Sequence, residues 1–273
     1  MDKKYELLEN DTIVVEGHAL HRIRLLKDLG HVKAGTLGGY IEKEDNLSHS
    51  GECWVAKEAK VYGDASVEEN AIVDDVAIVK DYAIVTDMAY ICDGAVVCNK
   101  AMVRGSASIN DAAVVGGEAD ISDNTYVSGN AAIEGEGFIC GGACITGNVD
   151  IGGDFEIYGC DMSGGKVSGD KVIIDGSVKI LDGADISGTS VINGGAIINF
   201  KVTHSSDYFT YRDPSRPHVI VTASIHEDIW NSGGFSGTAE EFIEYGYSLT
   251  DDHGKTNEEM VEYHNNLKTK YWS

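Results

Sequence analysis

Nine histidines stand at positions 18, 21, 31, 49, 204, 218, 226, 253 and 264, and none falls between residues 50 and 203. Imidazole suits general-base work near neutral pH. His204 has a carboxylate three residues on, Asp207, that could orient it, which makes this pair the candidate catalytic group if the protein is an enzyme. The other reading is an ordinary surface or cap histidine. His18 and His21, with Arg22 and Arg24, form a basic island in an acidic chain, either an anion site or a solvated strand face. The run Asp251-Asp252-His253 holds metal-type ligands, but adjacent side chains rarely converge on one ion, so it reads as a polar interhelix loop. Cysteines at 53, 92, 98, 140, 144 and 160 include no CxxC pair and no nearby histidine. That pattern signals neither a zinc site nor a dithiol motif, and the thiols read as reduced and structural. The pairs Gly164-Gly165, Gly194-Gly195 and Gly233-Gly234 lack the strand-to-helix turn a phosphate cradle needs and read as corners and hinges. The expectation is no metal and no cofactor.

The elements that would position these groups follow from a period of six. From Val55 to Ile157, β-branched aliphatics recur every sixth residue without a break, and alanine sits four residues after the aliphatic from Ala59 to Ala119. The frame slips by one at Met162, weakens at Ser168, and resumes from Ile174 to Ile198. Such a period suits a short strand plus a corner, repeated around a triangular prism. The aliphatic points inward and the small residue fits the interior corner. Asp, Asn or Gly two after the aliphatic (Asp75, Asp81, Asp87, Asp93, Asn99, Gly105, Asp111) tolerates the turn. Three hexads close one coil, so about eight coils rising about 4.8 Å each would make a rod on the order of 40 Å long. The predicted fold is mainly β, with a solenoid over residues 53–203.

Solenoid ends need plugs. Residues 1–52 read as a β-rich cap with two strands separated by Glu16-Gly17. Residues 204–273 read as a hairpin whose loop carries both prolines, followed by two helices. The S/T-x-x-E patterns Thr238/Glu241 and Thr256/Glu259 predict helix starts near Ala239 and Asn257. The second helix runs to about Lys270 with Met260, His264, Leu267 and Tyr271 on one stripe.

The formal charge of −24, most of it on the rod, opposes direct binding to nucleic acid or an anionic membrane surface. No apolar run reaches the roughly 18 residues that span a bilayer, and the start MDKKYELLENDT has no apolar export region; the expected location is cytoplasmic. Residues one before each aliphatic face outward and stack every eighteen. One face carries Trp54, Ile72, Tyr90 and Tyr126, a second Ile78, Val96 and Val114, and the third Ile84, Met102 and Phe138. Contiguous apolar rows mark interfaces, here a homo-oligomer, trimer or dimer; the alternative is that strand propensity alone fills these sites. Asp75, Asp93 and Asp111 stack along one edge as a like-charge ladder. That edge either imitates a phosphate backbone or holds cations, or is a solvated row chosen for turn propensity.

The hexads resemble the left-handed parallel β-helix of the hexapeptide-repeat superfamily. In acyltransferases of that superfamily a histidine of the coils, or of a loop leaving them, acts as general base. Here the coils hold no histidine and no long loop excursion, and the residue after the aliphatic is often Tyr, Lys, Thr, Cys or Arg, so the chain leans away from enzymes. The segments Gly30–Ile41, Gly51–Val55 and Val61-Tyr62-Gly63-Asp64-Ala65, with Gly237-Thr238, Glu241-Phe242 and His253-Gly254, resemble bacterial and prophage proteins with VYGNA-like repeats and a small C-terminal module. The resemblance implies side-by-side oligomers with small ligands held between subunits. It also implies a non-enzymatic role in neutralising a host defence factor, either as an acidic decoy for a host protein or by sequestering a small anionic, nucleotide-like ligand. An acyltransferase and a phage structural component are the alternatives.

Overall fold

The computed structural model describes residues 3–214, 216 and 219–271. Strands β1 (Tyr5–Val15) and β2 (His18–Leu25) form an antiparallel hairpin with Val15 opposite His18. Its two turn residues, Glu16 and Gly17, have φ of 51° and 91°, the positive pair that a two-residue primed turn requires to match strand twist. Strand β3 (Leu37–Ile41) pairs antiparallel with β2 and then parallel with Lys60–Val61. The cap and the solenoid are therefore one continuous sheet.

From Trp54 to Ile109 each hexad is a two-residue strand that pairs in parallel with the one eighteen residues away: Trp54 with Ile72, Ile72 with Tyr90, Tyr90 with Ser108, Ser108 with Tyr126. Farther along the rod the hexads merge into longer strands, Ala132–Cys140, Cys144–Tyr158 and Asp161–Asp175. Every inward aliphatic from Val55 to Ile157 is fully buried, and the alanines between them close the corners from inside. The chain is mainly β, a β-solenoid of about nine turns with a small C-terminal sheet and helices. The turn beyond the predicted eight comes from the cap, because Ile41 lies beside Val61 and Leu47 bridges to Val67. These residues supply a first rung that does not repeat the hexad motif.

The frame slip has a definite form. Ile145 pairs with Met162, Ile151 with Val167 and Ile157 with Ile174. Val167, fully buried, takes the inward place expected near Ser168, because the coil is shortened where the register shifts between Ile145 and Asn148; a second shift, between Gly153 and Phe155, follows it.

Four short antiparallel strands (Tyr208–Arg212, Ile220–Ser224, Trp230–Ser232, Phe235–Gly237) form a second sheet. The first two make the predicted hairpin; Pro217 and His218 of its loop lie outside the described residues. This sheet caps the last coil. Ile197 N donates to Thr222 Oγ1 at 3.0 Å, and Asn231 Nδ2 donates to Ile197 O at 3.0 Å.

Helix α1 (Ala239–Leu249) starts at the predicted capping box of Thr238 and Glu241. Helix α2 (Asp251–Tyr271) starts six residues earlier than predicted, so Asp251-Asp252-His253 is its first turn and not a loop. Thr250 Oγ1 accepts from His253 N at 3.2 Å and caps it. Thr256 Oγ1 instead donates back to Asp252 O at 2.8 Å inside the helix. Gly254 permits the tight turn between helices, since a Cβ there would run into the Tyr247 ring. Trp230, Phe242, Met260 and Val261 form the module's core, and the buried stripe of α2 is Asn257, Met260, Val261 and His264.

Candidate functional site

Three regions carry the side chains singled out above: the corner edges, the flat faces, and the end of the last coil. At the corners, Asp75, Asp81, Asp87, Asp93, Asp111 and Asp123 have φ of 55–63°, a left-handed region that costs most residues and suits Asp. Their carboxylates also bond to the next coil. Asp93 Oδ2 accepts from Asp111 N at 3.3 Å, Asp111 Oδ2 from Gly129 N at 3.0 Å, Asp87 Oδ2 from Gly105 N at 2.8 Å, and Asp123 Oδ2 from Gly141 N at 3.0 Å. The ladder Asp75, Asp93, Asp111 is thus a chain of backbone contacts that offsets its own repulsion. At its start Lys57 Nζ bridges Asp74 at 3.2 Å and Asp75 at 2.6 Å, and Lys57 holds the Asp75 carboxyl below its ordinary value.

Among the described residues, Asp75, Cys92 and Asp93 bring metal-type ligand atoms within 4.8 Å of one another. Cys92 Sγ donates to Asp93 Oδ2 at 3.3 Å, and burial, with Asp93 adding, pushes its thiol up to about 12. A cation there would have to displace Lys57 and deprotonate that thiol.

On the faces, the rows stack as the repeat dictates, with differing exposure. Trp54 is buried beneath the cap, where a Cβ on Gly38 would stand 2.6 Å from its Cζ2, so the open part of the first row begins at Ile72. Ile72, Tyr126 and Phe138 are 38–39% exposed; Tyr90, Ile84 and Met102 are half-buried. On the second face the hairpin lays Ile13, Val15 and Leu20 against Tyr40, Tyr62 and Ile78. Glu16 at its tip bonds Lys80 at 2.9 Å. Beyond the hairpin Val96, Val114 and Ala132 continue the row half-exposed.

The basic island is occupied. Arg22 pairs with Asp11 at 3.2 Å and Glu58 at 2.9 Å and stacks on Tyr40 at 4.2 Å. Arg24 pairs with Glu6, and His18 Nδ1 meets Glu42 Oε1 at 2.9 Å. The two guanidiniums fasten the cap, and an anion would find both already paired.

At the last coil, Asp207 is buried and organises its surroundings. Its Oδ2 accepts from Thr203 N at 2.7 Å, Thr203 Oγ1 at 2.8 Å and His204 N at 2.9 Å. Burial pushes its carboxyl up, but these donors outweigh burial and hold it below its ordinary value. The carboxylate does not orient the His204 ring, whose Nδ1 lies 3.1 Å from Thr203 Oγ1. It holds His226 instead, with Oδ1 at 3.2 Å from Nε2. The His226 side chain is 59% exposed against 8% for Asp207. Both line a cleft of about 290 Å³ with Lys201, Thr203 and Glu227. An exposed imidazole held by a buried carboxylate is suited to proton transfer. His226 stands nineteen residues from Asp207, so sequence spacing does not couple them; the hairpin register does, since Tyr208 faces Ser224 and Ile225 N donates to Asp207 O at 2.8 Å.

No helix among the described residues is long and apolar enough to cross a membrane. Compared with known proteins, the chain matches no family model and no curated protein.

Proposed function

We propose that the protein is a non-catalytic binding scaffold that self-associates, as a trimer or dimer, through the apolar faces of its solenoid. The observation that carries this reading is the second-face row. Val96, Val114 and Ala132 extend, half-exposed, a strip that the chain's own hairpin already covers at Tyr62 and Ile78. Flat apolar strips gain stability when covered, and the hairpin is one example of a β-surface laid on this strip. Native mass spectrometry tests it. The expected result is a multimer that falls to monomer in a Val96→Lys, Val114→Lys double variant, and a monomeric wild type would refute the association.

The role of the scaffold rests on the resemblance to hexapeptide-repeat proteins of prophages. On that reading it is phage or prophage encoded and neutralises a host defence factor, by its acidic edge or by holding a small anionic ligand between subunits. The same spectra of protein taken from its host would carry the retained ligand or host protein; bare oligomers would remove this role. Asp207 and His226 favour a second reading, an acyltransferase with His226 as base. Release of free thiol from acyl-CoA that is lost on His226→Ala would establish it, and no turnover would end it.

A further inference from the structure

Lys4 immediately precedes β1 and is fully buried, an expensive place for an amine. Cys53, also fully buried at the entry to the first coil, supplies two acceptors for it. Lys4 Nζ donates to Cys53 O at 2.8 Å and to Cys53 Sγ at 3.1 Å. The two backbones are pinned independently. Leu26 N donates to Lys4 O and Cys53 N donates to Glu69 O, at 2.9 and 2.8 Å. The thiol in turn donates toward the carbonyls of Ser48 and Ser50, at 3.4 and 3.7 Å. Ser48 and Ser50 line a surface cleft of about 390 Å³ together with His49 and Glu44. Cys53 has no exposed surface and does not line this cleft, so the cleft, beside the two serines whose carbonyls hold the thiol, is the side from which a small oxidant would approach.

We propose that Lys4 and Cys53 are a redox modification site, at which a peroxide joins them through a sulfur–nitrogen bond. In the first step Cys53 Sγ attacks one peroxide oxygen. The sulfur is oxidised by two electrons to a sulfenic acid, the peroxide O–O bond breaks, and one water leaves. In the second step Lys4 Nζ, in its neutral form, attacks the sulfenyl sulfur. The S–O bond breaks, and the departing hydroxide leaves with the proton from nitrogen as a second water. One peroxide is reduced to two waters, and one S–H and one N–H are replaced by S–N.

Sulfenic acids are captured by whichever nucleophile is nearest, a thiol or a nitrogen. Here that nucleophile is an amine already in contact with the sulfur, so capture precedes attack by a second peroxide. The bond spans 49 positions of sequence and ties β1 to the first coil, which restricts the unfolded chain as a disulfide does. A thiol reductant attacks the sulfur and returns the free thiol and amine. Oxidation therefore strengthens the attachment of the cap reversibly.

The test treats the wild-type chain with hydrogen peroxide, digests it without reductant, and searches for joined peptides by mass spectrometry. The expected product contains Lys4 and Cys53, is two hydrogens lighter than the separate peptides, and disappears with dithiothreitol. It is absent from Lys4→Arg, whose guanidinium keeps the charge without an amine nucleophile. Lys4→Met provides the same control should the arginine fail to fit the buried site. The oxidised wild type also unfolds at a higher Tm than the reduced protein. Cys53 recovered as sulfinic acid beside a free Lys4 overturns the proposal. So does Cys53 left as a thiol while the less buried Cys140 and Cys144 are oxidised.

Discussion

Asp111 does two jobs at its corner, and three substitutions separate them. Its φ of 58° is left-handed, and its Oδ2 accepts the Gly129 amide at 3.0 Å. Asn keeps both the tolerance of this backbone and an acceptor, so Asp111→Asn should change stability by less than about 0.5 kcal/mol. Asp111→Gly keeps the backbone tolerance but loses the hydrogen bond, about 1 kcal/mol at an exposed site, and loosens the unfolded chain by about 0.5–1 kcal/mol. Asp111→Ala loses the same hydrogen bond and adds left-handed strain of about 1–2 kcal/mol, for about 2–3 kcal/mol in all. The expected order of cost is Asn, then Gly, then Ala. Urea unfolding followed by far-ultraviolet circular dichroism reads it as a shift in midpoint at constant slope. Amide exchange at Gly129 reads the hydrogen bond directly, slow in wild type and Asn, fast in Gly and Ala. If alanine costs no more than asparagine, the corner aspartates are placed for charge alone, and neither left-handed strain nor the amide bond explains them.

Three further outcomes follow from the same geometry. Gly117 has φ of 66°, and a Cβ on it would stand 2.6 Å from Gly135 O in the next coil; Gly117→Ala should cost more than Asp111→Ala, and an equal midpoint would show that the stacked corners yield. Ile109 is fully buried in the prism, so Ile109→Ala should cost about 2–5 kcal/mol by loss of contacts and an unfilled cavity, measured by the same urea titration. His264 is buried, with Nδ1 2.8 Å from Tyr211 Oη and Nε2 3.1 Å from Ser224 O; burial, with Lys268 adding, lowers its pKa from 6.5 to about 4. The unfolded chain then binds a proton that the folded one refuses, so stability falls as pH drops below about 6.5 and levels off near 4. The full loss is at most about 3 kcal/mol. Trp230 lies 5.0 Å from the His264 ring and reports it by fluorescence during unfolding; a pH dependence that survives in His264→Gln would assign the effect elsewhere.

Much of the fold is local and was legible in the chain. A β-branched residue every six positions, a small one at each inner corner and a left-handed-tolerant one at each outer corner leave few other ways to bury the aliphatics. Glu16-Gly17 and the Thr238/Glu241 box are likewise decided by neighbours within four residues. Most places that departed from expectation depend on partners far away in sequence; the start of helix α2 does not, being set by residues within seven positions. Helix α2 begins at Asp251 because Thr250 is available as its cap and Gly254 lets Tyr247 pack against it. Val167 turns inward because the preceding coil sets its register. Trp54 and Ile78 belong to rows that the repeat exposes, but the cap folds back over them. Arg22 and Arg24 look free until Glu58, Asp11 and Glu6 arrive.

The candidate sites divide in the same way. Stacking of the corner acids and of the outward rows follows from the eighteen-residue coil, so sequence alone determined which residues share an edge or a face. Whether those residues are open, covered or already bonded was decided only in three dimensions. Asp207 stands beside His204 along the chain and yet holds the ring of His226, and Lys4 meets Cys53 across the cap. Periodicity sets direction within one coil, whereas these contacts arise from how a hairpin or a terminal strand docks on the rod. That docking buries surface contributed by several segments at once, and no single stretch of sequence encodes it.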